Sequence, residues 1–166
     1  MNPISNQHFV LLGLGSNIEP ESNLELGFAA LKKLDANIQI SQSVKSKAVG
    51  FEGDEFINAI VIIHSTLDLL ALKIQMKKIE KDIGIVSNPS GCFNKKLDID
   101  IITYQNWTGT YFKLTLPRPE VFYNAHVLGP LAQFKPDYIL PSQTNTAEFL
   151  WDQYTHKSRI EFIKFN

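Results

Sequence analysis

The run FINAIVIIHST (56–66) constrains the chain more than any other stretch. Its β-branched side chains suit a pleated sheet, and an apolar run without alternation belongs in a central strand. Directly after it, Leu69, Leu72, Met76, Ile79 and Ile83 recur at steps of three and four through TLDLLALKIQMKKIEKDIG (66–84). That is the stripe of an amphipathic helix, stopped by Gly84. LDIDIITY (97–104) returns to strand. Upstream, HFVLLGLG (8–15) reads as a buried strand, and 19–34 as a helix with Leu24, Phe28, Leu31 and Leu34 on one face. IQISQSVKSKAV (38–49) reads as one half-exposed strand. The order β-α-β-β-α-β is the split βαβ, ferredoxin-like pattern of an α+β sandwich. NWTGT as a turn and YFKLTLP (111–117) as its return strand add a hairpin. TAEFLWDQY (146–154) adds a C-terminal helix and RIEFIKF (159–165) an edge strand. With no repeat, low-complexity stretch or linker, residues 1–166 are expected to form a single domain.

Composition narrows the partners. Hydrophobic residues are 44% of 166, enough for a sizeable core, and the formal charge of −1 gives no global field for nucleic acid or an anionic membrane. Cys92 is the single cysteine, so no intramolecular disulfide forms. The N-terminus lacks a basic stretch and a long apolar run. The expectation is a cytoplasmic protein, monomeric or weakly homo-oligomeric, that holds any anion with a local cluster of cations.

Asp98 and Asp100 lie one residue apart inside LDIDIITY. On a strand they share a face while Leu97, Ile99 and Ile101 pack behind. Two such carboxylates repel unless a cation lies between them, and Mg²⁺ is commonly held by one or two carboxylates plus substrate phosphates. A solvated edge strand is the alternative for a bare pair. Lys95 and Lys96 just before them suit a polyphosphate, or a solvated loop. The Gly/Pro/Ser-rich stretch IVSNPSGCFNK (85–95) is long enough to suggest a functional loop. GLGSN (13–17) reads equally as a phosphate-binding turn or a tight strand-to-helix turn. Asn58, inside an apolar run, needs a buried partner. His64 and His126 read as structural, and Asp54, Glu55 and Glu80 as solvated charges.

Taken in order and spacing, these segments resemble the 6-hydroxymethyl-7,8-dihydropterin pyrophosphokinase family of folate biosynthesis. LGLGSN is similar to its opening strand and turn, and SKAVGFEGDEFINAIV to its T-x-P-x-G…F/Y-x-N-A segment. LDIDIITY resembles its D-L-D strand, and LTLPRP and VLGPLAQFKPDYILP its later stretches. The resemblance implies a ferredoxin-like transferase, a kinase that moves diphosphate from ATP to a hydroxymethyl pterin. It implies two Mg²⁺ ions on Asp98 and Asp100, and a pterin bound by Phe56, Asn58 and His126 with backbone around Ser46 and Val49. Glu80, Lys95, Ile101 and Arg118 fall at nucleotide-side positions, with Lys95 and Arg118 catalytic alongside the aspartates. The sequence departs from the pattern where ATP is gripped. Loop arginines are replaced by Ile85, Ser87 and Gly91, a tryptophan by Cys92, an arginine by Lys95, a histidine by Arg118, an arginine by Asn124 and a phenylalanine by His126. The departures imply a weakened hold on ATP, with a non-catalytic pterin- or nucleotide-binding relative as the second reading.

Overall fold

The fold was taken from a computed structural model, which describes residues 6–48, 53–86 and 94–164. Strand β1 (His8–Ser16) leads into helix α1 (Pro20–Lys32), then β2 (Gln39–Ile40), β3 (Ser43–Ser46) and β4 (Phe56–Ser65). Helix α2 (Leu69–Ile83) and β5 (Asp98–Tyr104) follow. The hairpin β6 (Gly109–Tyr111) and β7 (Leu114–Leu116), helices α3 (Ala125–Phe134) and α4 (Ala147–Gln153), and β8 (Ile160–Ile163) complete the chain. The main sheet runs β5-β1-β4-β3-β8, all antiparallel, with β2 also paired to β4. Its first four strands and α1 and α2 are the ferredoxin-like α+β arrangement.

The sheet is covered on both faces. Val10, Leu12 and Leu14 of β1 pack with Ile99 and Ile101 of β5 under Leu24 and Leu31 of α1 and Leu72, Met76 and Ile79 of α2. Leu11, Ile60, Ile62 and Ile102 face the other way, against Val127 and Leu131 of α3 and Ala147 at the start of α4. This double burial explains why β1 and β4 read as unbroken apolar runs. Each fully buried aliphatic side chain contributes about 1.5–3 kcal/mol. Helix α2 starts where Asp68 accepts the Ala71 N–H at 2.8 Å and stops at Gly84, whose φ of 132° favours glycine.

Two expectations are corrected. The strand expected over 38–49 is two strands, because the Ser41 hydroxyl accepts the Ile60 N–H at 2.9 Å and takes a ladder position there. The strand expected over 111–117 is instead split across a tight turn at Phe112 and Lys113, with φ of 53° and 64°, so β6 pairs with β7 in a separate two-stranded sheet. Helix α3 has no counterpart in the sequence reading, and it forms although Gly129 and Pro130 lie inside it. Among the described residues no helix is long and apolar enough to cross a membrane.

Ser41→Ala would leave the buried Ile60 N–H without its partner. It is expected to lower stability by about 1–3 kcal/mol, read as a lower urea midpoint at unchanged slope; an unchanged midpoint would contradict this role.

Candidate active site

The register of β1 builds the site. Gly15 lies between Asp98 on β5 and Asn58 on β4, and Gly13 opposite Asp100 on β5 and Ile60 on β4. A side-chain carbon at Gly15 would come within 2.8 Å of Asn58 Oδ1, and one at Gly13 within 3.3 Å of Ile102 Cδ1. The two glycines therefore leave a floor between the carboxylates and the amide. Above it is a cavity of about 260 Å³, here called the face cavity, roofed by the start of α3. Ser46, Phe56, Asn58, Asp98, Asp100 and Arg118 line it, as do Asn124 and His126. Asn58 Nδ2 donates to Ser46 Oγ at 2.8 Å, which fixes the amide with Oδ1 toward Gly15. Burial, against the opposing pull of Glu120, lowers the pKa of His126, so its imidazole is neutral at pH 7.

A second cavity, of about 300 Å³, wraps the edge of β5 between α2 and the hairpin. Asp98, Asp100 and Arg118 line this edge cavity too, so they form the seam between both spaces. Lys95 Nζ donates to Asp98 Oδ1 at 2.9 Å, and Arg118 Nη2 stands 3.4 Å from both Asp100 Oδ1 and Glu120 Oε1. Arg118 Nε is buried without a partner among the described residues. Burial first, and the neighbouring Asp98 second, push Asp100 up to about 6 despite Arg118. Burial alone would pull Lys95 down, but Asp98, Glu80 and Asp100 together raise it.

Backbone anchors hold the seam. Asn17 Oδ1 accepts the Lys95 N–H at 2.7 Å, and Asn17 N–H donates to the Lys95 carbonyl at 3.1 Å. The GLGSN turn is thus a clamp on the segment before β5. The Arg118 N–H donates to the Ile102 carbonyl at 2.8 Å. Glu80 Oε1 accepts the Ile99 N–H at 2.7 Å, and Glu80 pairs with Lys77 at 2.9 Å. Glu80 is therefore no solvated charge; it ties β5 to α2. Glu55 pairs with Lys45 at 3.5 Å.

The face cavity brings together Ser46, Phe56, Asn58, Asp98, Asp100, Arg118 and His126, and the edge cavity Lys95, Ile101, Arg118 and the aspartates. Val49 lies outside the described residues, as do Ser87, Gly91 and Cys92. Lys96 is not gathered in: it lies across Gly84 at the end of α2. Sequence reasoning missed Asn17, and also Lys73, Lys77 and Lys113, which line the edge cavity. Lys73 Nζ donates to the Phe112 carbonyl at 2.6 Å, joining α2 to the hairpin tip. The available signal was the four-residue spacing of Lys73 and Lys77 beside Leu72 and Met76.

Among the described residues no third His, Cys, Asp or Glu joins the aspartate pair to make a closed metal cage. Two carboxylates with an open side suit Mg²⁺, which takes its remaining oxygens from phosphates and water. The unpartnered Arg118 Nε beside them suits an anion at the same place.

Comparison with known proteins converges on one family. The sequence model described as 7,8-dihydro-6-hydroxymethylpterin-pyrophosphokinase matches residues 11–136. The 2-amino-4-hydroxy-6-hydroxymethyldihydropteridine pyrophosphokinase of Synechocystis sp. is 30% identical over 149 residues, 88% of this chain and 76% of that protein. The protein of the same name from Haemophilus influenzae is 28% identical over 159 residues, covering 93% and 96%. A crystal structure of a Plasmodium falciparum HPPK-DHPS triple mutant aligns with a TM-score of 0.78 at 13% identity, over 96% of this chain and 47% of that one. The chain thus spans about half of that longer protein, and the likeness there is one of fold.

The Asp100 shift makes a pH prediction. A carboxyl that binds its proton more tightly folded than unfolded favours the folded state below its unfolded pKa, and that contribution is lost as pH rises through about 6. Asp100→Asn is therefore expected to melt about 3 °C above wild type near pH 8, about 1 kcal/mol in a domain this size, with the gap closing toward about pH 5. Thermal melts of the ligand-free proteins check this; a variant no more stable than wild type at the higher pH contradicts it.

Proposed function

The chain belongs to the 7,8-dihydro-6-hydroxymethylpterin-pyrophosphokinase family, and from that premise we propose how its two cavities divide the reaction. It is an ATP-dependent pyrophosphokinase of folate biosynthesis. The acceptor pterin takes the face cavity and the nucleotide takes the edge cavity. One observation carries this division: Asp98, Asp100 and Arg118 line both spaces, so two substrates meet only at that seam.

The pterin ring lies between Phe56 and the neutral imidazole of His126. Asn58, its amide nitrogen committed to Ser46, offers Oδ1 to a ring N–H. Backbone near Ser46 supplies the remaining polar contacts. The hydroxymethyl group then points at the seam, and its oxygen, giving up its proton to water, bonds to the β-phosphorus of ATP as the bond to the α-phosphate breaks and AMP leaves. Mg²⁺, two ions by the family resemblance, would be held by Asp98 and Asp100 and would neutralise and orient the phosphates there. Lys95 and Arg118 face the same phosphates, and cations aimed at developing charge stabilise the transition state most. Ile101 and the Glu80 anchor shape the nucleotide side.

The departures from the family pattern take away loop arginines. The lysines Lys73, Lys77 and Lys113 around the edge cavity supply charge from α2 and the hairpin instead. A lysine is a point charge without the guanidinium fork, so the hold is electrostatic and salt-sensitive rather than bidentate. Residues 1–166 act as one domain.

The test is AMP release from ATP on addition of 6-hydroxymethyl-7,8-dihydropterin with Mg²⁺. Wild type is expected to release AMP only with the acceptor present, and Lys95→Ala and Arg118→Ala to lose about tenfold or more in kcat/KM for ATP. No acceptor-dependent AMP would establish the non-catalytic reading, and unchanged turnover in both variants would move the phosphate grip elsewhere. The double variant Lys73→Ala/Lys113→Ala is expected to raise the KM for ATP about fivefold or more, with the KM for the pterin unchanged. An equal rise in both constants would contradict the division of the cavities.

A further inference from the structure

A third cavity, of about 390 Å³, lies beside the acceptor space, between the end of β3, the start of α3 and the Tyr154–Ile160 segment. It shares Ser46, Lys47, Asn124 and His126 with the face cavity, so the imidazole of His126 is part of the wall between them. The aspartates, Glu120 and Arg118 are absent from its lining. Among the described residues its charged groups are Lys47 and Arg159, with no Asp or Glu, and neither cation makes an ion pair there. The charge is thus one-signed where the seam is mixed.

Three rings also line it, those of Tyr123, His126 and Tyr154, and Tyr154 is held in place. Tyr154 stacks on Trp151 at 5.4 Å and 14°, and its hydroxyl donates to the Tyr123 carbonyl at 2.8 Å. With that hydroxyl engaged, Tyr154 offers its ring, and Tyr123 and His126 add two more. Flat faces with two unpaired cations select a planar anion: the rings take an aromatic body and Arg159 takes a carboxylate as a fork. A neutral ring forgoes the charge, and a bare inorganic anion forgoes the faces.

We propose that this side cavity is a separate binding site for a small aromatic carboxylate, held by Arg159 and Lys47 against Tyr154 and divided from the acceptor by His126. Nothing in it requires pterin or nucleotide, so it is tested on the ligand-free protein and stands or falls apart from the pyrophosphokinase reading.

The probes are benzoate, benzyl alcohol and inorganic phosphate, titrated by calorimetry. Benzoate is expected to bind saturably at one per chain, with benzyl alcohol and phosphate each at least about tenfold weaker. Arg159→Ala is expected to weaken benzoate at least about tenfold, Arg159→Lys to restore part of the affinity, and Arg118→Ala to leave it unchanged. Arg159 is exposed and outside the seam, so its removal leaves acceptor-dependent AMP release in place. The proposal is overturned if benzoate does not saturate, if phosphate binds as tightly as benzoate, if Arg159→Ala binds benzoate like wild type, or if Arg118→Ala abolishes binding, which would put benzoate at the seam.

Discussion

Asp98 and Asp100 repel each other across one turn of the β5 pleat, and Lys95 and Arg118 stand against them from opposite ends of the seam. These pairs are partly exposed, so in the ligand-free protein each is worth little as a stabilising bridge. In the proposed function their value lies in position: once substrates exclude water, the same charges would act at lower dielectric and count for far more. The raised Asp100 is the sign of that arrangement: charge has been gathered at a cost to the resting fold, as functional sites often do.

The fold exists around that seam. Asn17 clamps the main chain of Lys95, the Ile102 carbonyl holds the main chain of Arg118, and Glu80 binds the Ile99 N–H between the two aspartates. These anchors come from the end of β1, the end of the hairpin and the last turns of α2, which are far apart in sequence. Gly13 and Gly15 then keep the neighbouring strand flat enough for a ligand to lie beside the carboxylates. Helix α3 closes one space over the sheet, and α2 with the hairpin closes the other around its edge. A transfer between two bound substrates needs that kind of meeting point, since orientation supplies much of the rate.

Much of this was legible in the sequence. The β4 run, the α2 stripe and the β1 run carry strong periodicity, and the structure places all three within three residues of expectation. The spacing of Asp98 and Asp100 alone put them on one face. What stayed hidden depends on contacts between distant segments. Gly129 and Pro130 disguise α3, which is stabilised by its packing on the sheet rather than by propensity. The hairpin turn uses Phe112 and Lys113 where a glycine or asparagine would have announced it. Lys73 and Lys77 look like any solvated helix face until the hairpin folds back to face them. Asn17 looks like a turn residue until the segment before β5 reaches it.

The central claim is that the aspartate pair is completed by nucleotide phosphates. Mn²⁺ in place of Mg²⁺ makes this measurable, because protein-bound Mn²⁺ is lost from the free-ion electron paramagnetic resonance signal. In the presence of a non-hydrolysable ATP analogue, wild type is expected to take up Mn²⁺ into a ternary complex, and Asp98→Asn and Asp100→Asn to leave only the metal that the analogue itself holds. Without nucleotide, wild type is expected to bind Mn²⁺ at least about a hundredfold more weakly. Tight binding to the nucleotide-free protein, or an unchanged ternary complex in both asparagine variants, would contradict the account.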